Sequence, residues 1–425
     1  MTQSVPGPTD QTISLATGQR SLGDPSLSFP LFPPLVEGCP QTSTAKIQYP
    51  LVIDYDYRRV PDDFFERAPY AGLGRWAELL PPLAPGLPMG EGGTPLVAAP
   101  RLADWAGFEG EVYIKDESRN PTGSHKDRLN LCTVSSAVLS GAPGITVASS
   151  GNHGAAAAAY AARAGLPCVL FITEGTEPHL IRMVSAYGAA IVPLPRPLRR
   201  VLMRELVQRA GYMPVSSITE THTGHPFGPE GYKTIAYELY RQLGGRVPAA
   251  VFVPTAYAEL LYGVWLGFRD MQRVAGIGPL PQMFACEPAA GAPLKAALAA
   301  GQPVVKVDES PTAAYSIVVG SNSYRGVLAV RESEGEALAL DDVEIGHAQS
   351  ALGREGLWAE FSGAAGLAGL RQASAAGMRF NGPVVCLMTS TGFKDQGLPL
   401  PELPPVAPDW ESVRQTLESV YGLKV

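Results

Sequence analysis

Short apolar runs alternate with helical stretches along most of this chain, and that alternation restricts its fold more than any other feature. Strand-like runs fall at 112–114, 145–148, 169–172, 190–194, 250–253, 282–287 and 384–388, with helical patterns between them, as at 154–164, 198–210, 233–243 and 260–275. Strands joined through helices pair in parallel, because the crossover returns the chain to the same end of the sheet. The expectation is an α/β fold of parallel-rich sheets flanked by helices, collecting ligands at the carboxyl ends of the strands. With 425 residues, 45% of them hydrophobic, the chain can fill two cores. Residues 1 to about 45 are rich in Pro, Ser, Thr and Gly and read as an irregular arm. A strand-like run at 48–57, a proline-interrupted helix around 62–80 and a glycine-rich turn at 90–95 follow it. No internal repeat is visible.

The formal net charge of −7 and the lack of a basic run argue against a nucleic-acid surface. Arg196, Arg199, Arg200 and Arg204 form too short a cluster and read as a solvated helix face. Cys39, Cys132, Cys168, Cys286 and Cys386 are odd in number and far apart, which suits neither a disulfide framework nor a zinc site. The last four lie in apolar runs and are expected as buried thiols; no metal is expected. The N-terminus lacks a basic-then-apolar signal pattern, and no apolar stretch of spanning length is free of Gly, Pro or charge. A cytoplasmic protein with no membrane partner is the expectation.

Chemistry is concentrated in three segments. The first places Asn-Pro-Thr-Gly-Ser-His before Lys126, which opens a helical stretch. A cation at a helix N-terminus opposes the helix dipole, so the amine should lose its proton more readily, as a Schiff-base lysine must. On these residues alone, a solvated pair with Asp127 stands beside catalysis. The second, Ser149-Ser150-Gly151-Asn152-His153-Gly154, carries a strand end into an alanine-rich helix, where backbone amides suit a carboxylate or phosphate. Read singly, it is more commonly a turn with Ser149 or Ser150 as a helix cap. The third, beginning at Thr389, ends an apolar strand in Thr-Ser-Thr-Gly and has the same two readings.

Taken together, residues 120–128, 149–154 and 389–395 resemble the fold type II, tryptophan-synthase-β-like, pyridoxal-phosphate enzymes, and within them the threonine synthases. Similarity extends in order through 90–96, 230–234, 263–268 and 355–362, so it spans roughly residues 50 to 400. The resemblance implies a two-domain architecture: 61–142 with 228–425 as the large cofactor-binding domain, 143–227 as a small mobile one, and 1–60 as an arm. It implies pyridoxal 5′-phosphate on Lys126, Asn152 at the ring oxygen and Thr389 at the ring nitrogen. Ser124, Ser149, Ser150, Gly151 and His153 would hold the substrate. Thr255, Ala256, Tyr257, Ala258 and Glu259 would cup the phosphate, with His125 as a further phosphate contact. A homodimer acting on a small amino-acid substrate is implied as well.

Three departures from the family pattern bear on substrate. Ala256 and Ala258 stand where relatives carry glycine, and Glu259 adds a negative charge near the phosphate. His153 and His225-Pro226-Phe227-Gly228-Pro229 replace polar residues common in threonine synthases. Cys39-Pro40-Gln41-Thr42 looks like a zinc-ribbon remnant without its partner cysteines, and one cysteine cannot build a tetrahedral site. The resulting expectation is elimination or replacement on a small L-amino acid, from phosphohomoserine to threonine or a related substitution. Serine or threonine dehydration is the alternative within the class, and a non-catalytic protein of the same fold the alternative outside it.

Overall fold

Apolar, β-branched runs such as Val384–Met388 and Ala250–Pro254 are buried along their whole length, as strands covered on both faces must be. In the computed structural model, which describes residues 14–67, 72–395 and 405–424, they form the centre of a six-stranded sheet. Its order is Glu336–Leu340, Gln282–Pro288, Ala250–Pro254, Val384–Met388, Val112–Asp116 and Leu96–Ala98, all parallel except the last. A second, four-stranded parallel sheet is ordered Ala190–Leu194, Cys168–Thr173, Ile145–Val147 and Met213–Pro214. The α/β expectation is met; the Glu336–Leu340 strand was not foreseen from sequence.

Two expectations need correction. Residues read as an irregular arm contain the strands Ala16–Ser21 and Ser28–Phe29, which join Leu51–Tyr55 in an antiparallel sheet. Strand pairing there supplies what a hydrophobic run did not advertise. The helix expected around 62–80 is instead two 3-10 segments, Phe64–Glu66 and Leu73–Leu79. Residues 68–71 of that stretch lie outside the described residues, as do 1–13 of the arm. All five cysteines are free and buried, Cys39 included. Among the described residues, no helix is long and apolar enough to cross a membrane, and no acidic, histidine and cysteine side chains gather into a metal-sized group. The chain divides into a unit ending at Lys394 and a second beginning at Asp395. The second holds the helix Trp410–Tyr421, capped by the Asp409 side chain on Ser412 N.

Fixing the Lys126–Leu139 helix is the main task of the core for function. Two residues beyond its start, Arg128 is fully buried. Its guanidinium donates to Glu117 (Nε–Oε2 2.8 Å) and to Glu238 (Nη1–Oε1 2.7 Å), and also to Thr234 Oγ1 at 2.7 Å. Glu238 takes a second cation, Lys115 Nζ, at 2.7 Å. Two cations and two carboxylates thus neutralise one another inside the protein, with further donors and acceptors used on Gly93, Thr94, Asn120 and Gln242. Burial opposes the Glu238 charge, but Arg128 and Lys115 hold its carboxyl down to about 2.

The Gly228–Gln242 helix crosses this helix so closely that a Cβ at Gly231 would lie 2.1 Å from the Arg128 carbonyl oxygen. Backbone cannot yield as a flexible side chain can. Gly231→Ala is therefore expected to destabilise the fold by about 1–3 kcal/mol through overpacking. A lowered thermal midpoint checks this; an unchanged midpoint would contradict so close a crossing.

Candidate active site

The segments that follow four strands open onto one cleft of about 910 Å³, a size suited to a cofactor with a small substrate. Val112–Asp116 leads through a short 3-10 turn to the Lys126–Leu139 helix, and Ile145–Val147 leads to the Asn152–Ala164 helix. Ala250–Pro254 leads to the Glu259–Ala275 helix, and Val384–Met388 leads to the loop at Thr389. Carboxyl strand ends and helix N-termini meet here, so unsatisfied amides and reactive side chains share one space.

Lys126 is the first residue of its helix, and the turn before it depends on Gly123 at φ +78°. A Cβ at Gly123 would sit 2.9 Å from Thr391 Cγ2, so glycine lets this turn lie against the 389–391 loop. His125 fastens the two together: its backbone N–H donates to Thr389 O at 3.0 Å, and its Nδ1 lies 3.1 Å from the same oxygen. Lys126 Nζ lies 5.6 Å from the centre of the Tyr232 ring and forms no ion pair or hydrogen bond among the described residues. Asp127 is occupied elsewhere, accepting from Thr122 N and Oγ1 at 2.8 Å each, so the solvated Lys126–Asp127 pair is not formed. Burial lowers the Lys126 pKa, with the Glu259 carboxylate acting in the opposite sense. A lowered pKa raises the share of the amine that is unprotonated, the form that acts as nucleophile and base. Burial, followed by the Lys126 charge, also drives His125 well below the usual histidine range.

Asn152 is held from three sides. Its Oδ1 accepts from Lys394 Nζ at 2.7 Å and Ser390 Oγ at 3.1 Å, while Nδ2 donates to Glu360 Oε2 at 2.6 Å. The amide cannot turn over without losing all three. Sequence reasoning did not single out Lys394 or Glu360, although both lie inside motif segments that it used. Ser149, Ser150, Gly151 and His153 line the cleft beside Asn152, and Thr389, next to the Ser390 that bonds Asn152, lines it too. Burial, then the Lys126 charge, pushes His153 down to about 3, so its ring is neutral near pH 7. His153 Nε2 and Ser124 Oγ are buried without protein partners.

The 255–259 loop keeps a glycine-like turn despite its alanines. Ala258 takes φ +60°, the left-handed conformation glycine adopts more easily, and ends the loop as the residue before the Glu259–Ala275 helix. Gly326 makes room for it, since a Cβ there would lie 2.7 Å from Ala258 Cβ. No side chain caps this helix start, leaving its first amides for another acceptor. The Glu259 carboxylate has the Arg325 cation beside it, Nη1 at 3.5 Å, and the buried His222 ring, Nε2 at 3.6 Å. Burial disfavours its charge, yet His222 and Arg325 keep the carboxyl below the ordinary range. Tyr257 stacks on His222 with ring centres 3.9 Å apart. A free amine, a fixed amide, an uncapped helix start and unpartnered polar atoms together fit pyridoxal phosphate chemically.

The arginine cluster, read as a solvated helix face, stays partly exposed but is turned to the cleft. Arg196, Arg199, Arg200 and Arg204 all border the cleft. They sit on the Arg196–Ala210 helix, which packs on the Cys168–Thr173 strand. Spacings of three and four residues put these side chains on one helical face, and the packing turns that face over the strand ends. That spacing was visible in the sequence; where the face would point was not.

A family model described as pyridoxal-phosphate dependent enzyme matches residues 87–390. The threonine synthase of Methanosarcina acetivorans is 32% identical over 355 residues, covering 81% of this chain and 86% of its own. That of Halalkalibacterium halodurans is 35% identical over 333 residues, covering 76% and 89%. Among solved structures, an L-serine ammonia-lyase from Rhizomucor miehei is similar in fold, with a TM-score of 0.61 and 24% identity. The match covers 70% of this chain and 93% of that one.

Proposed function

Because this chain belongs to the pyridoxal-phosphate-dependent enzyme family, we propose that it is a threonine synthase-like enzyme of elimination or replacement, cleaving a carbon–oxygen bond at Cβ or Cγ of a small L-amino acid. The observation that carries this reading is Lys126: an unpaired amine of lowered pKa where the segments that follow four strands converge. Bound pyridoxal phosphate supplies an electron sink that stabilises the charge left when Cα loses its proton.

The residues divide the remaining work. Lys126 would hold the cofactor and, once displaced by the substrate amine, move the Cα proton at Nζ. Asn152, locked by Lys394 and Glu360, would hold the ring oxygen. Thr389 would meet the ring nitrogen with a neutral hydroxyl, leaving that nitrogen unprotonated and tempering its pull on electrons. The loop amides from Thr255 to Glu259, with His125, would hold the phosphate. Ser149, Ser150, Gly151, His153 and Ser124 would hold the substrate carboxylate. Closure of residues 143–227, read as the smaller domain, would exclude water during the reaction.

The test offers phosphohomoserine, phosphoserine, acetylserine, serine and threonine to cofactor-loaded enzyme and follows phosphate, acetate, ammonia and amino-acid products. Threonine with stoichiometric phosphate from phosphohomoserine is the expected result. A purified protein that takes up no colour from added pyridoxal phosphate would sink the reading. A second reading, dehydration of serine or threonine, draws on the neutral, unpartnered His153 beside Asn152. Ammonia and a keto acid from the free hydroxy amino acids would select it.

A further inference from the structure

We propose that Arg199 and Arg200 are the specificity-determining pair of this cleft, gripping an anionic group at the far end of the amino-acid substrate. The inference rests on the function proposed above and names the substrate class it would take. Its warrant is two guanidinium groups presented to the cleft without counter-ions. Arg196, on the same helical face, is paired with Glu309 at 2.7 Å. Arg199 and Arg200 form no ion pair among the described residues, and Arg199 Nε is buried with no partner at all. Glu174, Glu177 and Glu220 also border the cleft, yet none pairs with either arginine. Burial, then the charges of Arg196 and Arg200, makes the Arg199 cation less favourable than usual, which an arriving anion would reverse.

Their placement brackets a substrate seat. Arg199 Nη1 donates to Ser150 Oγ at 3.3 Å, in the loop before the Asn152–Ala164 helix. Arg200 Nη2 donates to Tyr257 Oη at 3.4 Å, in the loop before the Glu259–Ala275 helix, while its Nη1 takes Thr219 O at 3.1 Å. These long contacts leave donors free in the space between the two loops. Guanidinium forks match oxyanions in geometry as well as charge. A phosphate ester offers two guanidinium cations three terminal oxygens and up to two negative charges, where a carboxylate offers two oxygens and one charge, so the ester is the better match.

Calorimetric binding to the cofactor-loaded enzyme tests this with ligands that carry no leaving group. L-2-Amino-5-phosphonopentanoate is compared with L-norvaline, and L-2-aminoadipate supplies the carboxylate arm. In the wild type the phosphonate should bind at least about tenfold more tightly than norvaline. Arg199→Gln and Arg200→Gln should each weaken the phosphonate by about 30-fold, or about 2 kcal/mol. Norvaline and cofactor affinities should stay within about twofold, and Arg199→Lys should recover part of the loss. Aminoadipate losing affinity in parallel would extend the site to carboxylates; aminoadipate left unaffected would confine it to phosphates. Equal losses for phosphonate and norvaline would overturn the proposal, since the arginines would then hold the shared α-carboxylate. Loss of cofactor affinity would overturn it too, placing them on the cofactor phosphate. Cofactor colour that depends on Lys126, without any phosphonate preference, would sink the arginine pair alone. Absence of that colour in the wild type would instead sink the functional reading beneath it.

Discussion

Lys126→Ala is expected to lower turnover by about 10²–10⁴-fold from the lost proton transfer alone. The amine stands unpaired against Tyr232, and no described side chain is bonded to it that could take over its position. Lys394 is the nearest substitute by chemistry, but it is committed to Asn152 Oδ1 at 2.7 Å. Added methylamine should restore a measurable fraction of the rate, since the missing group is a small base at a cleft wall. Turnover within tenfold of wild type would remove Lys126 from the reaction. A second readout is independent of activity. The folded pKa of Lys126 lies below its unfolded value, so the unfolded chain binds more protons in the window between them. Stability of the wild type therefore rises with pH across that window, up to the ordinary lysine value. Lys126→Ala should lose this rise, and urea midpoints measured across the alkaline range would show it.

Arg128→Met should cost about 3–5 kcal/mol, the scale for removing one partner from a buried ionic group. Glu117 and Glu238 would be left with Lys115 as the remaining cation of the network, at zero exposure. Acid sensitivity gives the sign. Glu238 is held down to about 2 in the fold, so its stabilising contribution is present above the unfolded carboxyl pKa and lost as pH falls through about 2. Without Arg128 the folded pKa rises, and acid unfolding should begin at higher pH. The Lys126 end of the helix should lose its fixed position as well, weakening cofactor affinity. Denaturant midpoints at pH 7 and pH 4 check both effects. A loss below about 1 kcal/mol would mean the network relaxes in ways its hydrogen bonds do not suggest.

Much of this site was legible because strand-to-loop-to-helix transitions are local. Lys126, Asn152 and Thr389 each follow an apolar run that the sequence marks clearly, and parallel sheets bring such run ends together. Sequence could set the 255–259 loop after an apolar strand, but could not say that Ala258 would accept a left-handed backbone. Nor could it place Glu259 beside Arg325, 66 positions away in the chain. Long-range partners were what escaped. Glu360 meets Asn152 across 208 residues and Arg128 meets Glu238 across 110, pairings that no periodicity encodes. The N-terminal strands were missed for a related reason, since a short edge pairing such as Ser28–Phe29 has too few residues to show alternation.

The Arg196–Ala210 helix buries only Met203 among its fifteen residues. Most of its positions can therefore change without disturbing a core, whereas the lysine-bearing helix is buried at every position from Asp127 to Ala137. Mutation meets unequal resistance on the two sides of one cleft. Substitutions on the lysine-bearing side should cost folding stability, while those on the arginine-bearing side should cost little. A lineage carrying this chain could exchange one substrate for another by altering a single helical face, and libraries that randomise 196, 199, 200 and 204 should yield folded proteins at a high rate.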